Sequence, residues 1–335
     1  MGKEVNIILD DKEITKVRRL RVEKNTSTEA DMFEFDIDNS KDRYTSIFYE
    51  TSGELIEIKI DGEVCFRGFV DTAGFSYVPE QVINVAGRDY TGLLIDEIVS
   101  KLLVRKFSGK TASQIVEQIA KYYGFTSEVD ATRNVYYEEK LYAEGTSIWE
   151  VVRTLTEKEG FDAYVTPDKK IIFKKREISS QAKRVFALDK NEGIVPAELK
   201  FDQDKTLSLA LKVKVIGYSP GAKKRISYIA ESPKRSRSSY KLVTIRDLTL
   251  KNKAEVKARA EALLRDYSKN LTTGSLLYPV DPKMEPGDAI EIKGIELADI
   301  FYVTGVIHNE ELSGFTTGLE FASKILTEAK TVEAE

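Results

Sequence analysis

Leu55-Ile56-Glu57-Ile58-Lys59-Ile60, Asp61-Gly62, Val64-Cys65-Phe66: apolar residues alternate with polar ones up to an Asp-Gly pair, beyond which an apolar run resumes. Alternation with period two puts every second side chain on one face, the pattern of a half-buried strand. Asp-Gly tolerates the positive φ values of a type I′ turn, so the stretch predicts a β-hairpin and, with it, an antiparallel sheet. Outward from the hairpin the pattern persists. Residues 5–9 are mostly apolar, residues 18–22 alternate, and Phe33-Glu34-Phe35-Asp36-Ile37-Asp38 alternates without a break. Residues 68–77 and 81–86 read as a further strand pair around Val78-Pro79-Glu80. A hairpin-rich antiparallel segment of this size reads as a small barrel or sandwich.

At Gly87 the period changes. Thr111-Ala112-Ser113-Gln114 has the spacing of a capping box, and Ile115, Ile119 and Tyr122 or Tyr123 form one helical stripe that stops at Gly124. Ser147 with Glu150 repeats that signal ahead of Ile148, Val151, Val152 and Leu155, with Gly160 beyond the last turn. A hairpin over residues 161–174 follows, turned by Pro167-Asp168. Strands return after about residue 185, and residues 207–216 alternate over ten positions. Asn252 with Glu255 opens a third helix, whose Val256, Ala260, Leu263, Leu264 and Tyr267 occupy one stripe expected to cover a barrel. Pro286-Gly287-Asp288 turns into an all-strand finish. The expected class is α+β, mainly β: two antiparallel β segments, 1–95 and 185–323 with a helix at 252–271, flank an α/β insert at 96–184, and 324–335 is a frayed, charged tail. Residues 219–240 carry Lys223, Lys224, Arg225, Lys234, Arg235 and Arg237 against one acid, Glu231, and read as a polar loop.

The 335 residues contain 51 Lys and Arg and 55 Asp and Glu, a formal net charge of −4, which gives no bulk commitment to nucleic acid. Hydrophobic residues at 41% with 32% charged suit a chain that buries a sizeable core. No apolar run approaches membrane-span length, and the opening residues lack the apolar core of a signal peptide, so synthesis in the cytoplasm without export through a signal sequence is expected. One cysteine excludes a disulfide within the chain and any multi-cysteine metal site.

Enzyme chemistry finds little to work with. His308 is the single histidine, so paired-histidine metal motifs are impossible. As a base for some serine it lacks a recognisable constellation, and a half-buried or interface position on a strand is the expected place. Cys65, within a predicted strand, reads as a small packed hydrophobe. Gly87-Arg88-Asp89-Tyr90-Thr91-Gly92 has the glycine spacing of a P-loop, but Leu93-Leu94 stand where Lys and Ser or Thr are needed. The glycines are expected to let the chain turn from strand to helix, with Asp89 as a cap. Acid pairs Glu138-Glu139 and Glu310-Glu311 are adjacent, and adjacent strand residues face opposite ways, against the requirements of glycoside hydrolysis.

Residues 82–96, with a strand, a Gly-Arg-Asp turn and a Thr-Gly helix start, resemble a stretch of the baseplate hub proteins of contractile phage tails. Thr111-Ala112-Ser113-Gln114-Ile115-Val116 before Tyr123-Gly124-Phe125, Gly145-Thr146-Ser147-Ile148-Trp149-Glu150 before Gly160-Phe161, the Pro286-Gly287-Asp288 turn and the strands at 302–308 and 314–321 follow in the same order. Across residues 80–322 the chain is similar to the late control protein D and Mu-like tail protein P group, the hub part of injection-system spike proteins. The resemblance implies two tube-type β-barrel domains flanking the insert, and a homotrimer whose six barrels adapt a six-fold tail tube to a three-fold spike while lining the central channel. It implies as partners a separate central spike protein, tail tube or tube-initiator proteins and other baseplate proteins, in a virion tail baseplate or phage-tail-like particle. It implies no catalytic, cofactor-binding or metal residues, no membrane and no specific nucleic acid, although DNA passing through the channel is compatible with it. Two other readings are a tail-associated peptidoglycan hydrolase and a nucleic-acid module using residues 223–225 and 234–237; the net charge of −4 weighs against the second.

Overall fold

The 55–66 hairpin forms as read in the computed structural model, which describes residues 4–26, 30–41, 44–50, 53, 55–100, 107–132, 145–175, 181–203, 210–231, 240–248, 250–268, 272–295, 299–311, 314–323 and 330–332. Asp61 and Gly62 have φ of 52° and 80°, the positive pair that a type I′ turn requires. Around this turn the first segment holds β1 (Val5–Leu9), β2 (Lys12–Ile14), β3 (Val17–Asn25), β4 (Met32–Asp38), α1 (Thr45–Glu50), β5 (Leu55–Ile60), β6 (Glu63–Ser76) and β7 (Val82–Asp89). The strands read at 64–66 and 68–77 are one strand, β6, carrying two irregularities. One lies opposite the Ile58/Lys59 step, and there Cys65 and Phe66 are both buried although adjacent; an extra residue in one strand breaks the in–out alternation in this way.

The next segment holds α2 (Thr91–Asp96), α3 (Ala112–Tyr122), β8 (Thr126–Val129), α4 (Ile148–Glu159), β9 (Phe161–Thr166) and β10 (Lys170–Lys175). Its sheet runs β8-β10-β9, with β8 parallel to β10. Both predicted caps are present. The Thr111 hydroxyl accepts from the Gln114 amide and the Gln114 side chain accepts from the Thr111 amide; Ser147 accepts from the Glu150 amide at 3.1 Å, and Gly160 closes α4 at φ 71°. Tyr123 rather than Tyr122 packs on the core of this segment; Tyr122 is 59% exposed.

Beyond it come β11 (Arg184–Ala187), β12 (Glu198–Gln203), β13 (Ala210–Ser219), β14 (Lys224–Glu231), β15 (Tyr240–Arg246), α5 (Lys253–Ser268), β16 (Thr272–Pro279), β17 (Ala289–Lys293), β18 (Asp299–Glu311), β19 (Gly314–Ser323) and β20 (Lys330–Val332). The chain is α+β and mainly antiparallel β. Its largest sheet has thirteen strands and crosses from one half of the chain to the other, in the order β12-β16-β19-β18-β3-β4-β7-β6-β5-β1-β2, with β17 also beside β18 and β11 beside β17. Among the described residues this path stays open and no barrel closes.

A four-stranded sheet, β15-β13-β14-β20, stands apart from the large one and has its own core. Val213 and Val215 of β13, with Tyr228 and Ala230 of β14, meet Val256, Ala260 and Leu264 of α5 there. The helix therefore covers this sheet rather than a barrel wall. Two expectations change here. Residues 219–240 are not one loop: residues 224–231 form β14, and antiparallel register sets Lys224 opposite Ser219 but Glu231 opposite Lys212. The cations at 223–225 thus occupy one end of the sheet, while residues 232–239 lie outside the described residues. The tail is not frayed throughout, because residues 330–332 pair with β14. The Glu138-Glu139 pair also lies outside the described residues.

Candidate functional site

Two places concentrate the chemistry that the sequence singled out: the seam where β18 meets β3, and the Gly87–Gly92 stretch that links the large sheet to the second segment. At the seam, residues 305–310 of β18 pair with residues 20–25 of β3, and the Thr26 amide donates to the Thr304 carbonyl at 2.9 Å. Val280, from the far half, sits in the core of the first segment. The seam also buries charge. Lys24 is 3% exposed, and its ammonium donates to Glu285 at 2.7 Å. Burial alone would lower the Lys24 pKa, yet Cys65, Glu285 and Asp31 outweigh it and hold the ammonium above its ordinary value.

His308 lies here too, but it is fully buried rather than half-buried. Its Nδ1 is 2.9 Å from the Thr317 hydroxyl, which also accepts from the Asp281 amide at 2.9 Å. Burial, with the charge of Lys24, pushes the imidazole down to about 3. The imidazole is thus sealed from solvent, with one ring nitrogen engaged by a threonine. Cys65 is buried as expected, and burial pushes its thiol up to about 11, away from nucleophilic use.

Desolvation pushes the Asp31 carboxyl up to about 7 against the pull of Lys24, and it raises Asp89 in the same direction with the charge of Asp31 adding to it. The linkage signs at the seam therefore oppose one another. Asp31 holds its proton more tightly folded than unfolded, so its contribution is complete below about pH 4 and is lost as pH rises to about 7. His308 contributes fully above about pH 6.5, and that contribution is lost as pH falls toward 3. Asp31→Asn keeps an oxygen for the Asn25 amide, which donates to Asp31 at 3.2 Å. It is expected to raise the thermal midpoint at pH 8 and leave it unchanged at pH 4; melting curves across that range check this, and equal shifts at both ends would contradict it.

In the Gly87–Gly92 stretch the glycines act differently from the turn that was expected. Gly87 lies inside β7, where a Cβ would stand 1.9 Å from the Phe69 carbonyl oxygen and 2.7 Å from the Phe33 ring. Arg88 reaches two carboxylates at once: Nε and Nη2 donate to Asp71 at 2.7 and 2.9 Å, while Nη1 and Nη2 donate to Asp96 at 3.1 and 2.9 Å. This clamps β6 to α2. Asp89 accepts from the Thr91 amide at 3.1 Å and from its hydroxyl at 2.8 Å, but the N-cap position of α2 is Tyr90, which makes no side-chain cap bond, so the expected Asp89 cap becomes a local brace one residue earlier. The spacing that mimics a P-loop is explained by packing and a two-sided ion pair. Arg88→Lys cannot make both bidentate contacts, and with the site about one-third exposed it is expected to cost about 1 kcal/mol, read by denaturant unfolding.

A second contact joins the two α/β modules. Arg259 of α5 donates to the Glu157 carbonyl at the end of α4 and lies 3.3 Å from its carboxylate. Glu310 and Glu311 are neighbours on β18; among the described residues no cluster of three or more metal-ligating side chains occurs.

Residues 20–321 match the model of the family described as YQBQ-like. The chain belongs to the YQBQ-like family. No curated relative matches it. The fold of this YQBQ-like chain is also that of solved tail proteins. A tail protein from Neisseria meningitidis superposes with a TM-score of 0.76 at 18% identity, covering 97% of each chain. The 43 kDa tail protein of prophage MuSo2 from Shewanella oneidensis gives 0.75 at 13% identity, over 96% of this chain and 98% of the other. The E. coli c3393 protein, a type VI secretion component with structural similarity to bacteriophage T4 tail proteins gp27 and gp5, gives 0.57 at 12% identity, over 99% of this chain and 80% of that one. The similarity spans both halves and both α/β modules.

Proposed function

We propose that this YQBQ-like chain is a structural component of a phage tail baseplate or tail-like particle, and within it the hub: a homotrimeric adaptor between the six-fold tube and a separate three-fold spike, lining the central channel and contacting other baseplate proteins. The observation that carries the reading is the superposition on tail proteins across nearly the full length of both chains. Two β segments per chain, residues 1–95 and 185–323, give six in a trimer, which is the count a six-fold neighbour needs. A non-enzymatic role is supported by where the reactive side chains sit: His308 and Cys65 are buried, and Arg88 is engaged by two carboxylates. Light scattering on the chain purified with its spike partner is expected to give a hub mass of three times 37.8 kDa. A stable dimer of the chain in that complex would overturn the trimer.

A further inference from the structure

Charge is distributed unevenly along this chain. Residues 210–268 hold fifteen Lys and Arg against five Asp and Glu, whereas residues 1–95 hold twelve against nineteen. The overall −4 therefore conceals a strongly basic stretch, the three strands β13, β14 and β15 with α5. Strand register sorts its side chains. Val213 and Val215 face α5, and their partners Val243, Ile245, Ala230 and Tyr228 share that side. The alternate positions face the other way: Lys212, Lys214, Ile216 and Tyr218 on β13, Leu242, Thr244 and Arg246 on β15, and Arg225, Ser227 and Ile229 on β14. Arg225, Arg246 and Tyr218 on this face are exposed. Among the described residues the one acid on this face, Glu231, is 4% exposed and lies 3.3 Å from Lys212. Lys223 and Lys224 stand exposed at the β13–β14 turn, at the end of the sheet that holds Arg225 and Tyr218.

We propose that this open sheet face binds nucleic acid, without sequence preference, through the phosphodiester backbone. The charge favours a polyanion, and the layout favours nucleic acid over an acidic protein. Lys214, Arg246 and Arg225 stand on three adjacent strands of this face, a spread of cations that suits an extended phosphodiester backbone. Thr244 and Ser227 add hydroxyl donors for phosphate oxygens, and Tyr218 offers a ring face for a base. The proposal does not depend on the hub reading, since the isolated 335-residue chain suffices to test it.

The test is fluorescence anisotropy with a labelled duplex of about 30 base pairs and a thymidine oligonucleotide of equal length, in salt from about 50 to 200 mM. The expected result is binding at low salt that weakens at least about ten-fold over that range for both probes. Lys214→Ser, Lys223→Ser, Lys224→Ser, Arg225→Ser and Arg246→Ser combined should weaken binding at least about ten-fold and flatten the salt slope. Five equivalent changes in the second segment, at Lys110, Lys121, Arg153, Lys169 and Lys175, should leave the affinity unchanged. Acetylation footprinting of the unmodified chain should show DNA protecting Lys214, Lys223 and Lys224, a readout that needs no variant. No binding at low salt, equal losses in the two variants, or equal competition by polyglutamate, which would assign the face to an acidic protein, overturns the proposal.

Discussion

Gly87→Ala is expected to cost about 3 kcal/mol or more of folding stability, at the upper end of what overpacking does. The atom that a new Cβ would strike, at 1.9 Å, is a backbone carbonyl of the neighbouring strand, which cannot rotate away as a side-chain tip can. Gly68 is pressed from the other direction, with the Arg88 carbonyl oxygen 2.1 Å from where its Cβ would stand. The two strands have closed on one another at both glycines, so relief requires parting β6 from β7, next to the Arg88 clamp. Gly74→Ala, on β6, is the control: only the Asn84 carbonyl oxygen, at 3.9 Å, comes near, and a change of a few tenths of a kcal/mol is expected. Urea unfolding of the two variants checks the contrast. Equal losses would mean that the cost is the loss of a strand glycine rather than the clash.

Glu285→Ala is expected to cost about 3 kcal/mol, and Lys24→Met less than about 1 kcal/mol, although each removes half of the same ion pair. The asymmetry follows from burial. Lys24 is 3% exposed while the Glu285 side chain is 48% exposed. Removing the acid leaves an ammonium sealed in the seam, with Asp31 as its remaining partner; removing the lysine leaves Glu285 to the water that already solvates it and lets Asp31, which desolvation already pushes toward its neutral form, keep its proton. Methionine fills most of the lysine's volume, so no large cavity opens. Chemical denaturation at pH 7 reads both values, and a Lys24→Met loss as large as that of Glu285→Ala would show that the pair is a net source of stability.

Much of the local structure was legible because short-range chemistry decides it. The Asp61-Gly62 turn, the Thr111 and Ser147 caps and the stripe on α5 each follow from a few neighbouring residues. What the sequence hid depends on partners distant along the chain. Nothing near Lys24 announces Glu285, 261 positions away, and alternation alone cannot say that β3 will pair with β18. The neighbours of Gly87 across the sheet are invisible in one dimension, and there the glycine leaves room for the Phe69 carbonyl. In the 219–240 stretch polar, basic surroundings mask the alternation of β14, whose Tyr228 and Ala230 point into a core that α5 completes. His308 looked half-buried because strand periodicity gives a face and not the number of layers stacked upon it.

The central claim, that this YQBQ-like chain forms a trimeric hub between tube and spike, is tested most directly by electron cryomicroscopy of particles assembled from its own gene cluster. Density for three copies is expected at the junction, with residues 1–95 and 185–323 of each alternating around a six-fold ring above the spike. Six copies at that level, or particles with a complete tube and spike that lack the chain, would contradict it.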